Sequence, residues 1–330
     1  MIESGLVGGL VFNLRAFETG VKDSAAYDTA IRKMLGENII GEDLFAELAI
    51  ADARQAADLL CFIYDQTECT DGWVALDVSP RMFDDPINLA SAIKALYARV
   101  HRPNIMVNVP GTKEGLIAAV EVVSAGVPVN ITHIFSTEQF YAAAEAYLKG
   151  VEQRLRAGLK PDISSVVSLN AGRWDAERLE RGTDDVGKSL GFAIFQRTYE
   201  RWQALFHSPR WERACLGGAQ PLRFQCIGIE FDTPEIPKAL TMNTRLAQLT
   251  VFTMSETPAD QSVGAERCAR PTLSDNNDSD RVTSRFFLSG EDIDSLAEMF
   301  QKDAVSLFVK EWFDLMTAIA RKSAALTMIG

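Results

Sequence analysis

The sequence predicts an α/β barrel, in which helices surround one parallel sheet. Three observations carry this prediction: strand-like and helix-period stretches alternate in strict order, the strands are short, and the units follow one another in one continuous chain. Alternation of strand and helix is typical of a parallel sheet with crossover helices. Many short units favour a closed barrel over an open sheet. We therefore treat residues 1–330 as a single domain.

The predicted strands are short runs rich in β-branched and aromatic residues, and the predicted helices repeat apolar residues at helical spacing. Helix starts carry ordinary capping signals, such as Ser136 before the apolar face of Phe140 and Ala143. The strands are predicted at 10–13, 73–79, 104–109, 127–135, 165–170, 223–231 and 249–254. The helices are predicted at 42–64, 87–99, 113–125, 137–157, 185–206 and about 291–323.

One segment, residues 255–284, departs from this alternation because it is polar and rich in turn-forming residues. A stretch of this length without helical or strand periodicity predicts a long loop. Two interpretations stay open. The loop is a lid over a binding site, or it is an exposed insertion without function.

The composition excludes several classes of function. With 33 Lys plus Arg against 45 Asp plus Glu, the net charge is −12, which disfavours nucleic acid and anionic membranes as partners. No apolar run reaches about 18 residues, so no transmembrane helix is expected. The 5 cysteines lack metal-type spacing and no secretory signal is visible, which favours reduced thiols in the cytoplasm. The expected partner is a small molecule, and a homo-oligomer stays open.

Polar residues recur near the carboxyl ends of the predicted strands, opposite an apolar face. That end of a barrel is where active sites are assembled. A single such residue is more often a hydrogen-bonded cap. Several in phase predict a shared pocket, because each unpaired buried polar group costs about 1–3 kcal/mol. The residues are Asn13, Asp77, Asn108, Asn130 with Thr132, Ser168 with Asn170, and Glu230 on one face with Cys226 and Gly228.

The 3 histidines are scattered along the chain, which argues against a histidine-based metal site. His133 alternates with Asn130 and Thr132 on its strand, so we expect it to pack against the helices rather than act in catalysis. His101 and His207 flank loops and are expected at the surface.

Several segments resemble motifs of the transaldolase family, the Schiff-base class I aldolases built on a barrel. DGWVALDVSP is similar to the family's DGxVSLEVSP, and RPNIMVNVPGTKEG to its RPNxMIKIPATxEG. GVPVNITHIFS resembles GIxVNVTLIFS, and SSVVSLNAGRWD resembles SVASFFVSRVD. The match runs from about Gly9 to Ala324. It implies a TIM (β/α)8 barrel of transaldolase type, with the family's first strand, expected before Gly9, missing or replaced.

The resemblance also implies departures at the catalytic positions. The family's Schiff-base lysine matches Asn108, and an amide has no amine with which to form an iminium. The family's acid/base glutamate matches Asp77, a carboxylate one methylene shorter. Asn13, Asn130 and Thr132 match residues that orient substrate and a catalytic water in the family.

The phosphate-binding end departs as well. Arg173 and Ser168 match the family's arginine and its serine partner, but Glu230 and Asp232 lie where the family carries small hydroxyls and a lysine. A carboxylate there repels phosphate. Asn170 matches an aromatic residue that lines the family's site. We therefore expect a substrate that lacks a phosphate or binds it differently.

Three functions remain as hypotheses. The first is an enzyme with altered chemistry of lyase, dehydratase, isomerase or cyclase type, acting on a small oxygenated metabolite in a specialised biosynthetic pathway. In it Asp77 is the general acid or base, Asn108 and Thr132 hold substrate oxygens, and Glu230 is a second carboxylate. The second is a non-catalytic binding protein. The third is residual transaldolase or aldolase activity in carbohydrate metabolism.

No cofactor and no metal are expected. The alternative of a Mg²⁺ site rests on the hard oxygen ligands that Asp77, Glu230 and Asp232 would offer, but their spacing does not demand a metal. Lys113 could in principle replace the missing amine. A solvated lysine in the first turn of a helix is the favoured interpretation.

Overall fold

The computed structural model of the protein describes residues 9–181, 190–228, 250–253 and 292–328. Within these ranges the chain forms one parallel sheet of 7 strands, ordered as they occur in the chain. The prediction of a parallel α/β sheet and of each of these strands is confirmed. The strands are β1 (Gly9–Val11), β2 (Trp73–Leu76), β3 (Ile105–Pro110), β4 (Val129–Ile134), β5 (Val166–Asn170), β6 (Arg223–Ile227) and β7 (Thr250–Thr253).

The helices follow the strands as predicted, with short additions that the sequence analysis did not identify, namely α1, α2, α7 and α9. The described helices are α1 (Leu14–Asp23), α2 (Asp28–Gly36), α3 (Gly41–Gln66), α4 (Pro86–Val100), α5 (Lys113–Ala125), α6 (Thr137–Arg156), α7 (Gly172–Arg181), α8 (Leu190–Phe206), α9 (Pro209–Leu216) and α10 (Ile293–Met328), with a 3₁₀ turn at Pro80–Met82. The predicted loop at 255–284 and the region of the expected first strand, before Gly9, lie outside the described residues.

Side-chain caps begin the helices soon after each strand ends. The Asp85 carboxylate accepts hydrogen bonds from the main-chain N–H groups of Ile87 and Asn88 at 3.1 Å, which starts α4. The Thr112 hydroxyl caps α5, and Ser136 forms a capping box with Gln139 at the start of α6. These caps satisfy main-chain donors that a helix otherwise leaves unpaired. They also fix where each chain segment leaves the carboxyl end of the sheet.

The sheet is curled rather than flat, and one ion pair demonstrates this. The guanidinium of Arg223, on β6, lies 2.8 Å from the carboxylate of Asp71, just before β2. In a flat sheet, four steps of about 4.8 Å would separate those strands by about 19 Å, beyond the reach of an arginine. The side chain therefore crosses the concave interior at the amino end of the strands. Pairing of β7 with β1 is not seen among the described residues.

The convex face of the sheet carries the main apolar core. Val107, Val109 and Ile131 are fully buried there against the helices. The ring of Phe224, on β6, packs 4.8 Å from that of Phe140 and 5.4 Å from that of Phe195. Since strand residues alternate between faces, this core assigns the intervening residues to the concave interior.

Helix α10 crosses the carboxyl ends of the strands. Phe300, in its second turn, packs edge-on against Trp174 of α7 at 4.9 Å between ring centroids. Phe308 stacks on Phe83, which follows β2, at 5.6 Å, and Trp312 packs against Phe45 of α3 at 4.8 Å. The 36-residue helix thus covers the mouth of the curled sheet from the β5 side to the β2 side.

We expect Gly150→Ala to destabilise the protein by about 1–3 kcal/mol, because an added methyl group has no room between α5 and α6. Its Cβ would lie 2.7 Å from the Cβ of Val123 and 2.9 Å from the carbonyl oxygen of Val120. Urea unfolding monitored by circular dichroism measures the change. Gly36→Ala is the matched control, since nothing lies within 4 Å of its added Cβ, and it should gain up to about 1 kcal/mol from helix propensity. Equal effects of the two substitutions would contradict the tight α5–α6 contact.

Candidate active site

Five polar side chains, on or just after the five neighbouring strands β2 to β6, form a row of hydrogen-bonding contacts across the concave interior. Asn108 Nδ2 donates to Asp77 Oδ1 at 2.7 Å, and Asn130 Nδ2 donates to Asn108 Oδ1 at 2.9 Å. The hydroxyl of Ser168 lies 2.6 Å from Asn130 Oδ1 and 2.7 Å from Gln225 Oε1, and its single proton is donated to one of these two oxygens at a time. We call Asp77, Asn108, Asn130, Ser168 and Gln225 the polar row. It brings together four of the predicted site residues.

The polar row follows from strand register and burial. Asn108 is the sheet partner of Asn130, and Ser168 is the partner of Gln225. Asn130 and Ser168 are only 3% and 1% exposed, so their polar atoms need partners within the protein. Asn108 meets this need at both ends of its amide, donating to a carboxylate and accepting from an amide. Each member therefore fixes the orientation of the next.

Asp77 is the one carboxylate of the polar row, and its pKa is raised to about 7. Burial at the end of β2 is the main cause, because a low-dielectric surrounding disfavours the charged form. The hydrogen bond from Asn108 acts in the opposite direction, and the negative charge of Glu311 adds to the rise. Near neutral pH this carboxyl group can therefore both give and take a proton.

Glu311 lies on α10 and was not identified from the sequence as part of the site. Its carboxylate pairs with the guanidinium of Arg15, on α1, at 2.5 Å. It also lines a cavity of about 260 Å³ between α1 and α10, together with Leu307 and Lys310. Glu311 is partly exposed on its helix, and nothing in the local sequence indicates that it will influence Asp77, more than 200 positions earlier. Only the path of α10 over the mouth brings this charge near Asp77.

A bulge in β4 changes the side-chain pattern that alternation predicted for Thr132 and His133. Ile131 pairs with Val167 and Ile134 with Leu169, so two residues of β4 lie opposite one of β5. His133 takes a left-handed backbone with φ of 58°. The Thr132 hydroxyl, instead of joining the polar row, contacts the carbonyl oxygen of Val109 and Nδ1 of His133. Burial lowers the pKa of His133 to about 4, which keeps the imidazole neutral.

Three other predicted site residues lie outside the polar row. Asn13 is an exposed N-cap, and its side chain accepts a hydrogen bond from the main-chain N–H of Ala16 at 3.0 Å. Asn170 is partly buried at the end of β5. Arg173, in the first turn of α7, pairs with Glu177 at 2.8 Å and lies 4.6 Å from the ring centroid of Phe300. Arg173 is therefore held beneath α10.

The interior face of β6 differs from the prediction. Cys226 is buried in the helix-facing core, and Gln225 points to the interior instead. The sequence contains this information, because the apolar residues Phe224 and Cys226 alternate with the polar residues Arg223 and Gln225. Gly228 has φ of 78°, which ends the extended conformation of β6. The alternation of side chains along β6 therefore makes no prediction beyond this residue. Glu230 and Asp232 lie outside the described residues.

Lys113 is the first residue of α5 and is exposed, as expected for a lysine in the first turn of a helix. Within the described parts of the chain no lysine is buried. Lys188 and Lys238 lie outside those parts.

Over the residues that the structure covers, no group of three or more His, Cys, Asp or Glu side chains is arranged to hold a metal ion. The described helices also include none with the length and apolar character needed to cross a membrane.

The parallel sheet is curled, and polar side chains converge inside the carboxyl ends of its strands. These features are typical of barrel-type α/β proteins. The family model "Transaldolase/Fructose-6-phosphate aldolase" matches residues 3–319. The chain therefore belongs to the transaldolase/fructose-6-phosphate aldolase family, as the motifs predicted.

Curated relatives agree with this membership along nearly the whole chain. A transaldolase of Thermobifida fusca is 30% identical, covering 97% of this chain and 90% of its own length. A transaldolase of Frankia alni is 29% identical, covering 98% and 89%. One of Trichodesmium erythraeum is 26% identical, covering 100% and 91%.

We expect Asp77→Asn to stabilise the protein relative to the native chain at pH 8 but not at pH 4. Because the folded pKa of about 7 lies above the ordinary value of 3.8, the folded state binds the proton more tightly. The native chain therefore loses stability as the pH rises through this window. The advantage of the variant should grow by about 1–3 kcal/mol between pH 4 and pH 8, less than the full shift implies because water reaches part of the group. Urea unfolding at both pH values measures it.

The matched control is Asp85→Asn. Hydrogen bonds from the main-chain N–H groups of Asn88 and Ile87 lower the pKa of Asp85. Removing that charge should cost stability above pH 4, a dependence of opposite sign. A pH-independent effect of Asp77→Asn would show that the carboxyl is ionised in the ordinary range.

Proposed function

We propose that this protein is an enzyme of carbohydrate metabolism. It would catalyse proton transfer to and from a small polyhydroxylated substrate without forming a Schiff base. The observation that carries the proposal is the hydrogen bonding of Asn108. In the motif resemblance this residue takes the place of the family's reactive lysine. Its amide is hydrogen-bonded to Asp77 at 2.7 Å and to Asn130 at 2.9 Å. An amide lacks the free amine that a covalent adduct with a ketone requires.

Asp77 is the proposed general acid and base. A carboxyl group with a pKa of about 7 is present in both forms near neutrality, and catalytic groups work best when their pKa lies near the working pH. The ionised form would remove a proton from carbon or from a hydroxyl, and the protonated form would return one. Such transfers serve lyases, dehydratases, isomerases and cyclases alike.

The neutral members of the site are proposed to hold the substrate. Asn108, Asn130 and Ser168 present amide and hydroxyl groups that suit the oxygens of a polyhydroxylated molecule. Thr132 adjoins this centre through its contact with His133, and Glu230 is kept as a candidate second carboxylate. Asn13, Asn170 and Arg173 are assigned to substrate binding around this centre.

We further propose that the sheet closes as an eight-stranded barrel. The curl that lets Arg223 reach Asp71 supports closure. A closed barrel leaves no unpaired edge, whereas an open parallel sheet leaves two.

Proton abstraction is tested directly by exchange of carbon-bound hydrogen for deuterium. The protein is incubated with dihydroxyacetone, D-fructose or fructose 6-phosphate in D₂O, and loss of C–H signals is followed by ¹H NMR. We expect exchange that falls at least 100-fold in Asp77→Asn and about tenfold in Asn108→Ala, which loses orientation but keeps the carboxyl. Asp85→Asn, at the exposed start of α4, should exchange at the native rate. A fully active Asp77→Asn variant would refute the assignment.

A second candidate, transaldolase or aldolase activity through a lysine, is favoured by the names of the curated relatives. Borohydride reduction with dihydroxyacetone or fructose 6-phosphate distinguishes it, because an iminium is trapped as a mass increase on lysine. We expect no adduct on the native chain. Asn108→Lys is the positive control, since it places an amine beside Asp77 and should yield an adduct once its thermal unfolding shows it to be folded. A native-chain adduct would favour the second candidate.

A non-catalytic binding role gives a third pattern in the same experiments. It predicts no exchange and no adduct with any of the three probes, together with a ligand-dependent rise of the unfolding temperature.

A further inference from the structure

His133 lies at the end of β4 in a conformation that the sequence did not predict. The bulge after Ile131 sets it in the left-handed region with φ of 58°. Few residues other than glycine adopt this region, and histidine is among those enriched there. The motif that this strand resembles carries leucine at the same position, so the imidazole is a feature of this chain. Backbone outliers of this kind persist where surrounding contacts hold them in place.

The surrounding contacts come from α10. Gln301 Nε2 donates to the carbonyl oxygen of His133 at 2.8 Å and to that of Gly111 at 3.0 Å. The ring of Phe308 packs edge-on against the imidazole, with 6.0 Å between centroids. The same ring stacks on Phe83, after the β2 strand that carries Asp77. His133 is thus fixed at the mouth between β4 and α10.

The contacts of Thr132 favour one tautomer of the His133 imidazole. Its Oγ1 lies 3.0 Å from Nδ1 of His133 and within 3.4 Å of the carbonyl oxygen of Val109. A carbonyl only accepts, so the threonine proton is directed to Val109. Oγ1 then accepts from Nδ1–H, and both contacts are satisfied. In this tautomer Nε2 of the neutral imidazole is unprotonated and can only accept.

We propose that His133 is a substrate-binding residue whose Nε2 accepts a hydrogen bond from a hydroxyl group of a polyhydroxylated substrate. This inference rests on the proposed function. It explains substrate specificity, because a substrate with a hydroxyl group facing β4 would bind, whereas one without a hydrogen-bond donor there would bind weakly. The residue is partly exposed, and the described residues include no hydrogen-bond partner for Nε2. The imidazole is uncharged at pH 7, so its Nε2 accepts a hydrogen bond and does not donate one.

The tautomer is tested first, without any ligand. Two-dimensional ¹H–¹⁵N correlation spectra of the ¹⁵N-labelled protein at pH 7 distinguish a protonated from an unprotonated ring nitrogen. We expect Nδ1 protonated and Nε2 unprotonated for His133. The opposite tautomer, or a charged ring, overturns the proposal whatever the enzyme's activity.

Ligand binding is tested next by titrating the labelled protein with dihydroxyacetone. We expect the Nε2 resonance of His133 to shift together with the side-chain amide of Asn108. A shift of Asn108 alone overturns the role of His133 while leaving the proposed function intact. No shift of either group counts against both.

Variants separate hydrogen bonding from backbone strain. His133→Leu removes the acceptor and should weaken dihydroxyacetone binding about fivefold to tenfold, as expected for one lost hydrogen bond, while His133→Gln should restore part of it. His101→Leu is the matched control, because His101 is also left-handed, with φ of 51°, but caps α4 away from the site. It should lose similar thermal stability without losing affinity. Equal affinities of native protein and His133→Leu overturn the proposal.

Discussion

The hydrogen-bonded polar row is the constraint on which the concave interior depends. A buried amide or hydroxyl without a partner costs about 1–3 kcal/mol, so one misplaced strand would leave several such groups unpaired. Asn108, in the middle of β3, can satisfy both ends of its amide only when β2 and β4 are in the observed register. The network therefore specifies strand register as well as a site. A half-satisfied polar network would be worse than an apolar interior.

The same network explains why the interior tolerates asparagine beside Asp77. An ammonium group at position 108 would favour the ionised form of the carboxyl and draw its pKa downward. A neutral amide leaves burial as the dominant influence, and the carboxyl stays near half-protonation. The residue at position 108 thus sets both the available nucleophile and the charge of its neighbour.

Alternation of strand side chains was enough to predict the parallel sheet and most of the polar row. It placed Asp77, Asn108, Asn130 and Ser168 correctly because β2, β3 and the start of β4 are regular. It failed at the bulge before Ile134, where the strand is irregular. It also failed on β6, where the prediction placed Cys226 in the interior although Gln225 faces the interior. Strand alternation could not predict the roles of Glu311 and Gln301, because only tertiary packing places α10 over the mouth. Local patterns thus predict the sheet but not the elements that close over it.

Helix α10 also gives the site an order of assembly. It follows all seven described strands in the chain, yet it supplies Glu311 near Asp77 and the amide of Gln301 that secures the end of β4. Before it docks, the mouth is open to water, and Asp77 should behave as an ordinary acidic side chain. In that case, docking of α10 would bury the carboxyl and hold the imidazole in place. A chain emerging from the ribosome would therefore have made the seven described strands before α10, and the acid–base character of Asp77 would arise only after that helix has packed.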